Sequence, residues 1–204
     1  MIYDVRTYDL TPWSVPEFER RFGQALPERE KLSRLGAFWH TDVGPLNRVV
    51  HVWPYESFEH MRECRAAAHA TGKWPADVVP FMQEQLAEIM IPAPFMPDLK
   101  AAKLGPIYEM HTSILIDRTV PMILERWSKV IGARTELSPL VACWYSELGR
   151  LNRFVHIWAY KDHAERTRVA AAAKELPDWP PAMDDVTRFE ESAILLPASF
   201  SPLA

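Results

Sequence analysis

The chain has 204 residues, which is enough for one large domain or two small ones. Its composition, with 48% hydrophobic and 25% charged residues and a formal net charge of −4, is that of a folded globular protein. The acidic balance excludes a general nucleic-acid binder, and no apolar run approaches the roughly 18 residues of a membrane span. The first residues form a strand pattern rather than a signal peptide and the two cysteines suggest no disulfide framework, so we expect a cytoplasmic protein without a nucleic-acid or membrane partner.

The first elements along the chain are a strand and a long helix. Alternating β-branched and aromatic residues predict a strand over residues 2–9. Apolar positions at helical spacing then predict a helix from Pro16 to about Arg34, which Pro27 should bend or break. The other predicted elements are strands at 35–42 and 48–54 joined by a turn, a helix from the capping Ser57 to about His69, a helical turn within 77–82 and a strand at 85–91.

The second half of the chain repeats the first at an offset of 105 positions. The segment Asn47–Tyr55 recurs as Asn152–Tyr160, with the same Asn-Arg-x-x-His-x-Trp pattern. Trp74 and Pro75 recur in the same way, as Trp179 and Pro180. Because tryptophan and histidine are rare residues, their coincidence indicates a duplication rather than chance.

Proline-rich chain at 92–97 marks the boundary between the two copies, so we predict one module at residues 1–97 and another at 106–202. The element order βαββαβ is that of a ferredoxin-like module, whose antiparallel sheet carries both helices on one face. Its other face must be covered, and the second copy is the obvious partner. We therefore predict an α+β fold in which two tandem modules form a dimeric α/β barrel within one chain, with a second chain docking outside as a homodimer.

Two motifs resemble signatures of the NIPSNAP family. These are the first strand, Ile2–Tyr8, and the hairpin in which Gly44 precedes Asn47–Tyr55. The resemblance covers both halves, although His111 stands in the second copy where Arg6 stands in the first. It implies a dimeric α/β barrel, in a superfamily that includes cofactor-independent monooxygenases, haem-degrading enzymes and small-molecule isomerases. It implies no particular reaction, and no catalytic residue set carries over from it.

Strand parity divides candidate site residues from core residues. We assign the small Val50 and Val52 to the face under the helices, which directs His51 and Trp53 into the barrel. The polar side of the first strand is assigned to the same interior. The predicted pocket is therefore lined by Asp4, Arg6, Tyr8, His51, Trp53, Glu109, His111, His156 and Trp158.

An aromatic cavity with a few convergent polar groups is typical of a small-ligand site. His51 and His156 are the predicted proton-transfer groups, and Arg6 the group that holds a carboxylate or enolate oxygen. The other lining residues are predicted to bind the ligand. We therefore expect a small enzyme that acts on a hydrophobic or aromatic compound by acid–base chemistry or cofactor-free oxygenation, with no cofactor and no metal.

Structural roles compete with each of these assignments. The histidines can be hydrogen-bonded core residues, Trp53 and Trp158 are favoured as core packing, and Asp4 and Arg6 can form a simple ion pair. The histidines lack compact metal-ligand spacing, and haem ligation by an interior histidine has only analogy behind it. The sequence leaves open whether the protein is an enzyme, a module that binds a small molecule without changing it, or an assembly protein with a fully packed barrel.

Overall fold

A computed structural model describes residues 1–204 as eight strands and four α-helices that follow the predicted βαββαβ order twice. The first module consists of β1 (Ile2–Leu10), α1 (Val15–Glu30), β2 (Ala37–Val43), β3 (Arg48–Tyr55), α2 (Phe58–Ala70) and β4 (Met82–Pro92). The second consists of β5 (Ile107–Leu115), α3 (Val120–Thr135), β6 (Leu140–Leu148), β7 (Arg153–Tyr160), α4 (His163–Ala173) and β8 (Thr187–Pro197). The predicted α+β class and tandem ferredoxin-like modules are thus confirmed.

Pro27, which the sequence predicts to bend or break helix α1, does not break it. Pro27 lies inside the helix, which ends at Glu30 rather than near Arg34. A proline removes the one hydrogen bond that its backbone N–H would donate to the carbonyl four residues earlier, and α1 extends only three residues beyond Pro27. The Ser57 cap is present as predicted, because its side chain accepts a hydrogen bond from the His60 backbone N–H at the start of α2.

The strands close into a barrel in the order β1-β3-β2-β8-β5-β7-β6-β4. Two antiparallel junctions join the modules, β2 with β8 and β4 with β6. In these junctions Trp39 lies opposite Pro197, and Ile91 lies opposite Tyr145. The two modules therefore pair within the chain, and barrel closure leaves no strand edge unpaired.

Apolar side chains from all eight strands fill the barrel interior. Tyr3 of the first module lies with its ring centroid 5.4 Å from that of Trp144 of the second. Trp39 and Tyr108 make the reciprocal contact at 5.5 Å. An eight-stranded barrel is just wide enough for its side chains to fill it, and beside each junction a ring of one module contacts a ring of the other. The interior is a packed core shared by both modules.

The assignment of strand faces was wrong. Val50 and Val52 belong to the barrel core, whereas His51 and Trp53 lie on the outer face, under the helices. Parity itself holds, since alternate residues point to opposite sides of the sheet. The direction could not be chosen because both sides are covered and buried, so hydrophobicity does not distinguish them. Parity also did not decide which of Trp39 and His40 faces the barrel. Trp39 enters the barrel, and Nδ1 of His40 lies 2.7 Å from Oε1 of Glu19 in α1.

The helices form the outer layer over each half of the barrel. Phe18 and Phe22 of α1 and Met61 of α2 pack against Phe38 and Trp53 of the sheet. Burial of each such side chain stabilises the fold by roughly 1.5–3 kcal/mol. None of the four helices combines the length and apolar character needed to cross a membrane. Because Asp4 and Arg6 of β1 and His51 of β3 face this layer, any site they form lies between sheet and helices.

Candidate functional site

The predicted single pocket in the barrel is replaced by two pockets, one between the sheet and the helices of each module. The first, of about 240 Å³, gathers five of the predicted residues, namely Asp4, Arg6, Tyr8, His51 and Trp53. The second, of about 850 Å³, gathers the other four, namely Glu109, His111, His156 and Trp158. The two sets stand at equivalent positions of the repeat, so each module has built its own pocket on the same scaffold.

In the first pocket, β1 presents a row of linked polar side chains. The Nε of Arg6 donates to Oδ2 of Asp4 at 3.1 Å, and its Nη1 donates to the hydroxyl of Tyr8 at 3.1 Å. Burial opposes the charge on Arg6, but the neighbouring Asp4 outweighs it and raises the pKa of the guanidinium. This ion pair, one of the alternatives for these residues, is thus present inside the pocket wall.

His51 lies opposite Arg6 on β3 and is held in one tautomer. The indole Nε1 of Trp53 donates to its Nδ1 at 2.8 Å. Because an indole can only donate, Nδ1 must be unprotonated, and a neutral imidazole then carries its proton on Nε2. Burial, with the nearby charge of Arg6, holds the pKa of His51 well below its ordinary value. Its Nε2 is buried without a partner, so His51 is a neutral donor rather than a base.

Arg29 is the principal residue that the sequence interpretation missed. It is only 3% exposed, yet it lines the first pocket from α1 and pairs with no carboxylate. Its Nη2 donates to the Tyr55 hydroxyl at 2.6 Å, and its guanidinium lies 4.8 Å from the ring centre of Trp53. The Nη1 has no hydrogen-bond partner. Two signals could have found it: Arg29 continues the apolar helix face of Phe22, and it recurs as Arg134.

The rest of the first pocket is aromatic and positively charged. Phe22 and Trp74 meet edge to face with ring centroids 5.2 Å apart, and Trp74 contacts Trp53 at 5.8 Å. Arg65 of α2 adds a third arginine to the lining, where Asp4 is the one carboxylate. Such a pocket favours an aromatic molecule that carries negative charge.

The second pocket keeps the buried arginine but surrounds it differently. Arg134 donates through Nη1 to the Ser138 hydroxyl at 2.9 Å and through Nη2 to the Tyr160 hydroxyl at 3.2 Å. Its guanidinium lies 3.9 Å from the ring centre of Trp158. All of these hydrogen-bond partners are neutral, and the carboxylate that favours the charge of Arg134 is Glu109, which accepts from the same Tyr160 hydroxyl.

Glu109 and His111 replace the Asp4–Arg6 pair in the second pocket. Glu109 accepts hydrogen bonds from Arg166 and from the Tyr160 hydroxyl, the latter at 3.3 Å, and lies 3.4 Å from Nε2 of His111. Burial works against its ionisation, but His111 and Arg166 lower the pKa of Glu109 to about 2. The rings of His111 and His156 stack 4.7 Å apart at 16°. No group of three or more His, Cys, Asp or Glu side chains is arranged to hold a metal ion.

A model of the NIPSNAP family matches residues 3–97 and 108–202. Protein NipSnap homolog 3B of Mus musculus is 28% identical, over 98% of this chain and 85% of its own. Protein NipSnap homolog 3A of Homo sapiens is 27% identical, over 100% of this chain and 86% of its own. These relatives match both modules, so their similarity includes the duplication.

Solved structures show the same architecture at lower sequence identity. A "putative monooxygenase" from Lactobacillus acidophilus NCFM superimposes with a TM-score of 0.69 at 10% identity, over 97% of this chain and 94% of that one. At this identity the likeness concerns the fold alone. It shows that the barrel of two fused modules is an architecture shared with distant proteins.

Proposed function

The chain belongs to the NIPSNAP family, and from the geometry of its first pocket we propose that it binds a small aromatic compound. This compound carries an anionic oxygen, which belongs to a carboxylate or an enolate. The pocket polarises the compound without a cofactor. The observation that carries the proposal is the buried Arg29, which faces no carboxylate and lies in the same pocket as the neutral donor His51. The proposed site lies under the helices and not inside the barrel.

The unpaired donors favour an anionic ligand. Nη1 of Arg29 and Nε2 of His51 are both buried without an acceptor. Each such donor costs about 1–3 kcal/mol of stability when it is left unsatisfied. A carboxylate or enolate oxygen accepts several hydrogen bonds and also compensates the charge of Arg29, so its binding recovers part of this cost.

The size and walls of the pocket favour a compound with a single ring. A volume of about 240 Å³ is below the roughly 300–1,000 Å³ of pockets for drug-sized ligands, and a cavity of about 150 Å³ already accommodates benzene. Phe22, Trp53 and Trp74 supply the aromatic surface. One ring with a short acidic side arm therefore fits both the space and the polar end.

The tautomer of His51 defines the chemistry that the first pocket supports. A neutral imidazole N–H and a guanidinium, both fixed before the ligand arrives, stabilise negative charge that develops on an oxygen. His51 does not serve as a base in this arrangement, because Trp53 occupies Nδ1 and the proton occupies Nε2. The packed barrel is also what we expect of an assembly protein, but that role does not require a charged aromatic pocket.

The test is ligand-induced thermal stabilisation of the full chain. Benzoate, phenylacetate and phenylpyruvate are titrated beside the neutral benzyl alcohol. We expect stabilisation by the carboxylates alone, amounting to about 2.7 kcal/mol at a concentration of one hundred times Kd. Arg29→Met should weaken binding at least about 10-fold, and Arg29→Lys should weaken it less, because it keeps the charge but loses the planar fork.

Arg62→Met is the matched control, since Arg62 is an exposed arginine on α2 outside the pocket lining. It should bind the carboxylates as the unaltered chain does. Equal binding of benzyl alcohol and benzoate, or unchanged affinity in Arg29→Met, would overturn the proposal. Product analysis of the bound compounds then distinguishes an enzyme from a protein that only binds its ligand.

A further inference from the structure

The second pocket has diverged from the first at the positions that decide its chemistry. Glu109 and His111 occupy the positions of Asp4 and Arg6, so an ion pair with a permanently charged arginine becomes a carboxylate with a titratable histidine. The second pocket is also larger, about 850 Å³ against about 240 Å³. Duplication has thus produced two sites of different chemical character.

Glu109 is built to orient His111. Its side chain is 6% exposed, and Arg166 and Tyr160 hold both of its oxygens in place. With Oε1 only 3.4 Å away, the N–H of the neutral His111 ring is favoured at Nε2. The lone pair of the neutral ring then lies on Nδ1. Since His111 is 37% exposed, a substrate can reach it.

His156 supplies the complementary group. The indole Nε1 of Trp158 donates to its Nδ1 at 2.8 Å, so the proton of the neutral ring lies on Nε2. Its ring stacks on that of His111, with centroids 4.7 Å apart. Both histidines line the second pocket and also an adjoining polar recess of about 230 Å³. A base and a hydrogen-bond donor are therefore placed side by side at one cavity wall.

We propose that the second pocket is a separate proton-transfer site, which interconverts the keto and enol forms of a small 2-keto acid. Nδ1 of His111 takes the proton from the carbon next to the carbonyl, and the electron pair of that C–H bond forms the C=C bond of the enolate. The carbonyl π pair moves to oxygen, where Nε2–H of His156 donates a hydrogen bond. Return of the proton to this oxygen completes the reaction, which needs no oxidant or reductant.

The remaining residues of the pocket fit this substrate class. Arg134 and Lys174 line the pocket and offer positive charge to the carboxylate. Trp127 and Trp179, which meet edge to face at 5.2 Å, provide an apolar wall for the side chain of the keto acid. Glu109 is a weak base because its pKa is lowered to about 2, so its role is to position His111.

The experiment follows phenylpyruvate with the full chain in D₂O. Proton NMR measures deuterium exchange at the C3 methylene, and absorbance measures the approach to keto–enol equilibrium. We expect both to be faster than in buffer, and His111→Gln to reduce the enzymatic rate at least about 100-fold, the usual minimum for loss of a general base. His163→Ala, which changes an exposed histidine at the start of α4, should keep the full rate.

Glu109→Gln tests positioning rather than folding. We expect it to lower kcat at least about 10-fold while KM changes little, and to shift the ¹⁵N NMR signals of His111 toward a mixture of tautomers. His111→Asn gives a second variant of the base if His111→Gln does not fold. An exchange rate equal to that in buffer, or full activity in either His111 variant, would overturn the inference. Because this assay measures exchange and the Arg29 assay measures binding, one proposal can fail without the other.

Discussion

His51 and His156 occupy the same position of the repeat and have the same bond to a tryptophan two residues later. Each accepts the indole N–H at 2.8 Å. Their surroundings differ, since Tyr8 packs edge-on against His51 whereas His111 stacks on His156. The two histidines therefore share one hydrogen bond but differ in the side chains around them. Those surrounding side chains determine the chemistry of each histidine.

The buried His51 predicts a dependence of stability on pH. Its pKa is held well below the ordinary value of about 6.5 by burial first and by Arg6 second. Below pH 6.5 the unfolded chain therefore binds a proton that the folded chain does not, so the free energy of unfolding falls by up to about 1.4 kcal/mol per pH unit. Burial also holds the pKa of His156 well below its ordinary value, so this residue adds an effect of the same sign.

Urea unfolding between pH 7.5 and 5.5 measures this dependence. In His51→Phe the slope should decrease, because the variant lacks the proton-binding group. His40, whose pKa Glu19 raises, is protonated in both states at the low end of this range and leaves the slope there unchanged. An identical slope in the variant and the unaltered chain would show that His51 ionises freely in the folded protein.

The burial of Arg29 can be predicted from the sequence, but its hydrogen-bond partner cannot. A helix face with Phe18 and Phe22 predicts burial for the position of Arg29, and the repeat predicts a shared role with Arg134. The sequence does not show that its partner is the Tyr55 hydroxyl rather than a carboxylate. That fact depends on which side chains of β3 lie beneath α1, and it decides whether the charge remains available to a ligand.

At the scale of elements, the hairpins of the two modules make unequal contacts. In the second module, Arg153 forms an ion pair with Glu88 of β4, and the backbone N–H of Arg150 donates to the same carboxylate at 3.1 Å. In the first module, Arg48 forms an ion pair at 2.6 Å with Asp9, which lies on β1 of the same module. One of two equivalent arginines thus joins the modules, and the other does not.

The two arginines predict a matched pair of stability changes. The side chains of Glu88 and Arg153 are 1% and 11% exposed, so Arg153→Met leaves a buried carboxylate without its partner. We expect a loss of about 3–5 kcal/mol in the free energy of unfolding. Arg48 and Asp9 are 26% and 31% exposed, and Arg48→Met should cost about 1 kcal/mol or less.

Urea denaturation at neutral pH provides the comparison between these two variants. Both variants remove the same side chain from the same position of the repeat, so each serves as the control for the other. Equal losses in Arg153→Met and Arg48→Met would contradict a special role for the pair between the modules.

At the scale of the whole molecule, closure of the barrel unites the modules. The fully buried Trp39, Tyr108 and Trp144 belong to a core that contains side chains of both. The junctions of β2 with β8 and of β4 with β6 pair the strands that an isolated module would leave as edges. Each module thus completes the sheet and the core of the other, while the pockets lie outside this shared region.

This arrangement predicts the behaviour of half the chain. Residues 1–98 expressed alone expose two strand edges and the apolar face that carries Val50 and Val52. We expect dimers, in which a second copy replaces the missing module, or aggregates, but no stable monomer. Size-exclusion chromatography with light scattering measures the mass, and a monomer that unfolds cooperatively would contradict the prediction.

The duplication, the order of elements, the hairpins and the family could all be predicted from the sequence, because periodicity, turn residues and repeated rare residues are local properties. The sequence also identified residues that do gather in pockets, including Arg6, His51 and His111. That these side chains face the helices, and form two pockets instead of one, follows from the way in which the strands close into the barrel. Both faces of β3 are buried, one in the barrel core and the other under the helices, so alternation shows which of its residues share a face but not what covers that face.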